Sequence, residues 1–198
     1  MASKLGIIKA AVTRAGGEVP QALTDDSDDV IAAVALYDSL VTELLTMHAW
    51  TFATRWETIS ATATEPPAPY QSEYAIPAEC INVRDLRDQY GYRVQYEIVE
   101  NVIWTYRDPT TDADLTLIYN WWPSESRWPA DFAGAIEEFM VSRLLQSFEE
   151  RIRAMEVLQV ADRKLARAMA RDRRQNPPLK VNNAPLLRAW RGRNVDRT

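Results

Sequence analysis

Cysteine is almost absent from this chain. Cys80 is the only one, which excludes an intrachain disulfide and a thiolate metal cluster and suits synthesis in a reducing compartment. Histidine is equally scarce: His48 stands alone, with no second His or Cys at ligand spacing, so zinc sites and Ser-His or Cys-His catalysis have nothing to build on. Only six glycines are present. Gly16-Gly17 is followed by Glu18, with no Lys-Ser or Lys-Thr to hold phosphates, so no phosphate loop is expected. Long hydrophobic runs are missing too. No apolar stretch approaches the roughly 20 residues of a membrane span, and Leu5 to Ile8 is cut by Lys9 too early for a signal-peptide core. These absences predict a soluble protein made in the cytoplasm, with no cofactor, no metal and no membrane contact.

What the chain does have is divided by charge. Its 198 residues suit one domain, or a helical core carrying a smaller β subdomain. Residues 151–198 hold 13 Lys or Arg against 4 Asp or Glu, a balance of +9, which leaves −14 for residues 1–150 within the overall −5. Such asymmetry marks a basic segment that finds nucleic acid or one that docks on an acidic surface, including that of a neighbouring copy.

Periodicity predicts an α+β fold: long helices forming a bundle, an inserted antiparallel β subdomain and an extended C-terminal tail. Residues 4–15 read as a helix closed by Gly16-Gly17. Residues 24–50 read as an amphipathic helix with Val30, Val34, Tyr37, Val41, Leu44 and His48 on one face. From about 55 to 122, Thr, Tyr, Val, Ile and Trp alternate in short runs. The strands expected there are 57–62, 74–76, 83–87, 94–98, 102–106 and 115–121, with a hairpin turn at Glu100-Asn101. Glu65-Pro66-Pro67-Ala68-Pro69 belongs to a surface loop, since proline lacks the ladder donor. Helical signal returns at Pro129 and continues to Arg174. Unbroken, that segment would span about 68 Å at 1.5 Å per residue, so a bend or break is expected near 148–155. The folded unit is thus 1–175, followed by a basic tail at 176–198.

Candidate sites follow from composition. Asp25-Asp26-Ser27-Asp28-Asp29 lacks the central Gly and terminal Glu of a calcium loop and reads as acids capping a helix start. His48 reads as a hydrogen-bonded residue at a helix end beside Trp50. No carboxylate pair stands out for acid/base work. Aromatics crowd the middle of the chain, more than a small sheet can hide. Trp104, Trp121, Trp122 and Trp128 are therefore candidates for an inter-subunit or tail contact. Base stacking would need interleaved cations, and these aromatics sit mainly among acids and neutral residues. In the tail, Lys180, Leu186, Leu187, Arg188, Trp190, Arg191 and Arg193 mix cations with apolar anchors, a pattern suited to folding on another subunit.

The order of elements resembles the tail tubular protein A family, the head-to-tail adaptors of short-tailed and some related phages. The residues that carry the likeness are Leu23-Thr24-Asp25 before a helix with Tyr37-Asp38 and Leu44-Leu45, then Trp50-Thr51-Phe52-Ala53. Next come Tyr74-Ala75-Ile76-Pro77-Ala78-Glu79-Cys80-Ile81-Asn82-Val83, similar to a tyrosine, proline, acid, cysteine and valine pattern of that family, and then Tyr119, Pro129, Phe132 and Ala135-Ile136. The likeness covers roughly residues 5–172. The chain departs from it where His48-Ala49-Trp50-Thr51 replaces the usual Pro-Trp-Asn, and the Arg-rich tail lies outside it. The resemblance implies a non-catalytic virion protein at the head-tail interface. It would form a ring of twelve copies between the portal protein and the tail nozzle, with DNA passing through the lumen. An acidic body suits a conduit that must not grip phosphates, and the basic end would attach each copy to portal or neighbour. The alternative reading is a nucleic-acid-binding virion or packaging protein that uses the Arg-rich end.

Overall fold

The computed structural model describes residues 2–25, 28–110 and 114–175. Among these, α1 (Lys4–Ala15) and α2 (Asp28–Met47) precede six strands, β1 (Thr54–Ser60), β2 (Ser72–Ala75), β3 (Cys80–Arg87), β4 (Tyr96–Val99), β5 (Val102–Thr105) and β6 (Asp114–Trp121). Two further helices follow, α3 (Ala130–Ser147) and α4 (Arg151–Gln175). The class is α+β, with every strand lying between α2 and α3.

Local chemistry sets the helix ends. The Ser3 hydroxyl accepts from the Gly6 N–H at 3.1 Å and caps α1. Gly16, at φ 90°, closes it in the left-handed conformation that a Cβ would disfavour. The helix expected from Thr24 starts only at Asp28, because the Asp25 carboxylate turns back to accept from the Gln21 and Ala22 N–H groups. It ends at Met47 rather than residue 50, where Trp50 folds over the helix end and donates its Nε1–H to the Leu44 carbonyl at 2.8 Å. Within α2, Val30–Met47 is long and apolar enough to cross a membrane by length and composition, which corrects the expectation that no segment is. Asp38 and Glu43 interrupt it, and Tyr37, Leu40, Val41, Leu44 and Leu45 are buried in the helical core.

The helical segment expected over 129–174, with a bend or break near 148–155, is two helices joined by a tight reversal at residues 148–150, with Glu149 at φ 65°. The reversal lets Ala154, Ala161, Leu165 and Ala168 bury against α3, where one straight rod would leave them in water. Small side chains allow close approach: the Ser142 hydroxyl donates to the Ala154 carbonyl at 2.8 Å. α3 also touches α1 and α2, so it is the central helix of the body.

The strands form two antiparallel three-stranded sheets, ordered β1-β6-β3 and β2-β5-β4. Ile59, Leu86, Leu115, Leu117 and Tyr119 of the first meet Tyr74 and Ile103 of the second in a separate small core. Glu100, at φ 54°, turns the β4–β5 hairpin as expected. β3 is irregular: Ile81 and Arg84 are extra residues against β6. Each bulge resets the in-out alternation. Ile81 thereby packs against the helical core while Cys80 and Val83 pack against the β core.

Candidate interaction surfaces

The four expected contact tryptophans are not one patch. Trp128 is a core residue, a correction to its expected surface role: it stacks on Tyr37 at 6.3 Å, meets Phe132 edge-on at 5.3 Å, and donates its Nε1–H to the Pro123 carbonyl at 2.9 Å. Trp122 packs half-buried on the same helical core, 6.4 Å from Tyr37. Trp121 lies on the opposite face of β6 under the Arg55 guanidinium, 3.8 Å from its ring centre. Trp104 sits apart on the second sheet, donating to Glu73 at 3.0 Å beside Tyr70. The alternation of β6 separates Trp121 from Trp122, and Trp128 follows a short turn that drops it onto α2.

The aromatics that do face water are others. Trp56 is 60% exposed, Tyr90 74% and Tyr92 70%. The tyrosines project from the β3–β4 turn, which Asp88 builds by accepting from the Tyr90 N–H at 3.0 Å and the Tyr92 N–H at 2.9 Å, with Gly91 at φ 83° between them. An Asp-x-x-Gly turn flanked by tyrosines is visible in the sequence, but that both rings point outward is not.

α4 presents a two-part outer face. Its first turns expose Ile152, Met155 and Leu158, while Arg163, Arg167, Arg171, Arg173 and Arg174 crowd its second half. Arg171 bonds Asp131 on α3 at 2.5 Å. On the inner side, Glu138 is buried and accepts both terminal nitrogens of Arg14, at 2.9 and 2.7 Å, and Lys164 Nζ at 2.7 Å. Burial opposes its ionisation, but the hydrogen bonds from Arg14 and Lys164 outweigh burial and hold the carboxyl below the usual range. The basic character of α4 is thus partly structural and partly outward-facing. The docking residues expected in the tail, Lys180, Leu186, Leu187, Arg188, Trp190, Arg191 and Arg193, lie outside the described residues.

His48 is where its sequence position suggested, at the end of α2 and edge-on to Trp50 at 4.7 Å. Its Nε2 lies 3.3 Å from Asp172, whose other oxygen accepts the Thr51 N–H at 3.0 Å. Burial pushes the imidazole below its ordinary value, only partly offset by Asp172. The ring therefore ties the helix end to α4. Burial likewise pushes the Cys80 thiol up. Among the described residues no group of three or more His, Cys, Asp or Glu is placed to hold a metal ion. Of the acidic run, Asp26 and Ser27 lie outside the described residues. No protein family matches the chain, and no curated protein matches it.

Proposed function

We propose that the protein is a ring-forming head-to-tail adaptor of a tailed bacteriophage, a structural virion component without catalytic activity. The observation that carries this reading is the outer side of α4, which exposes Ile152, Met155 and Leu158 in its first turns and crowds arginines in its second half, on a chain whose first 150 residues carry −14. A face of that kind docks on the acidic body of a neighbouring copy: Ile152 and Met155 supply apolar burial, and the arginines supply register. Repeated head-to-tail, such a contact between unlike surfaces forms a ring where its rotation closes. On this reading the four helices act as the bundle of an adaptor with the β sandwich inserted in it. Residues 176–198 form the arm that reaches the portal protein, and DNA passes a lumen whose acidic lining does not hold it.

Electron microscopy of the chain mixed with its portal protein tests the proposal. Rings under the portal are expected, and a chain ending at Asn176 stays folded but fails to join. Unchanged portal affinity of the shortened chain would refute the docking role of the arm. The second half of α4 also favours one other reading, a nucleic-acid-binding virion protein. Filter binding to double-stranded DNA separates the two, because that reading requires affinity that falls steeply with salt.

A further inference from the structure

Outside the surfaces already described, β1 and β3 enclose a half-open cavity of about 350 Å³, lined by Thr51, Thr54, Trp56, Arg84, Asp85, Arg87, Arg93 and Ile118. Three guanidinium groups face one carboxylate there. Asp85 is buried and takes one nitrogen from each of two arginines, Arg87 Nε at 3.1 Å and Arg93 Nε at 2.8 Å. Both bonds use Nε, so the terminal nitrogens of Arg87 and Arg93 have no protein partner among the described residues. Arg84 is half-buried and donates only to the Thr54 hydroxyl, at 2.7 Å, with no carboxylate in ion-pair contact. Burial pushes that guanidinium below its ordinary value. The other nearby acid, Asp172 on α4, is taken up by His48 and the Thr51 N–H.

Arg84 reaches this position because it is the extra residue of a β3 bulge, and bulges re-aim side chains where a flat strand could not. Trp56 forms the rim, with the Arg87 guanidinium 5.3 Å from its ring centre. A cation half out of water without an anion, beside two forks oriented by one carboxylate, is matched to planar oxyanions. The excess positive charge lies within the strongly acidic part of the chain, whose long-range field opposes a long polyphosphate backbone more than a short segment with few carboxylates.

We propose that this cavity is a docking site for an acidic peptide segment of a protein partner, with carboxylates on Arg84, Arg87 and Arg93 and an adjacent apolar side chain on Trp56. A free peptide carrying the run Asp25-Asp26-Ser27-Asp28-Asp29 has that chemistry and serves as the probe. The site does not depend on the adaptor reading.

The probe is a fluorescein-labelled peptide of residues 22–31 of this chain, titrated with the full-length protein and read by fluorescence anisotropy, beside a labelled 20-nucleotide single-stranded DNA. The peptide is expected to bind, with affinity falling at least ten-fold in Arg84→Gln and in Trp56→Ala, and more than five-fold in Arg93→Gln. Arg84→Lys, which keeps the charge and loses the fork, is expected to fall in between. Arg93 and Trp56 are exposed, so their variants decide the matter even if Arg84→Gln fails to fold. Unchanged peptide affinity in both exposed variants overturns the proposal. So does DNA that binds more tightly than the peptide and loses affinity in the same variants, which would make the cavity a phosphate site.

Discussion

The helical body gathers its aromatic residues into one core, whereas the β sandwich buries only some of its own, Tyr74 and Tyr119 among them. In the body, Tyr37, Trp128, Phe132, Trp50 and Phe52 touch in sequence at centroid distances of 4.8 to 6.3 Å, and the indole N–H groups of Trp50 and Trp128 both find backbone carbonyls. In the sandwich, the core is mostly aliphatic, and Trp56, Tyr90 and Tyr92 face outward. The difference follows from geometry. Helices meeting around Trp50 leave room for large rings, whereas two short sheets close on side chains one layer deep. Rings that do not fit inside stay exposed on the sandwich.

That contrast can be broken by substitution. Phe132→Ala removes a ring that touches Trp50, Phe52 and Trp128, and is expected to cost about 4 kcal/mol in urea unfolding. Ile103→Ala in the sandwich core is expected to cost about 3 kcal/mol. If the two regions are separately stable, its near-ultraviolet and far-ultraviolet transitions will split, while those of Phe132→Ala will coincide. Glu138→Ala leaves Arg14 and Lys164 without their shared acceptor between α1, α3 and α4. A loss of about 2 kcal/mol is expected, since both cations can reach water in compensation.

A pH titration sharpens the comparison within the body. The folded value of His48 lies below its ordinary 6.5, so between the two values the unfolded chain binds the extra proton. The stability contributed by this group is present above pH 6.5 and lost as pH falls through the lower, folded value. His48→Gln should flatten that part of the stability curve, read by thermal melts from pH 7 to 5. Glu138 adds a second loss, below the ordinary carboxylate range. At the small end, changing both Tyr90 and Tyr92 to Ser should move stability by no more than about 0.5 kcal/mol, since both are exposed. A clear loss of stability would make the sandwich tip structural instead.

The helical segments and the six strand positions were legible because burial imposes a period on them. Val30, Tyr37, Leu44 and their neighbours repeat at three and four, and Leu115, Leu117 and Tyr119 repeat at two. Boundaries were less so: Asp25 could cap a helix or close a turn, and only the positions of Gln21 and Ala22 decide between them. β4 was shifted, because Val94 is buried outside the strand and Tyr96–Val99 pairs with β5. The surfaces were hardest to see. Trp128 and Trp56 are the same residue type in similar local company, and only tertiary packing makes one a core ring and the other a rim. The arginine cavity had no sequence signal. Strict alternation from Val83 would put Asp85 in the β core and Leu86 outside, and the bulge at Arg84 reverses both.

β3 is therefore a strand whose length is fixed residue by residue. Ile81 answers to the helices, Val83 and Leu86 to the sandwich, and Arg84 and Asp85 to the cavity, with the two extra residues keeping each group in phase. Deleting Val83 or Leu86 would bring a charged neighbour to an aliphatic position of the sandwich core, whereas deleting Arg84 would leave Val83, Asp85 and Leu86 opposite their present partners on β6 and remove the bulge and its guanidinium. The segment between β1 and β2, by contrast, can lengthen or shorten without disturbing either core. Natural variation in this protein should therefore accumulate as gaps in the proline-rich segment and as substitutions rather than gaps at Val83 and Leu86, and a gap in β3, where one occurs, should fall on a bulge residue and cost the cavity its guanidinium.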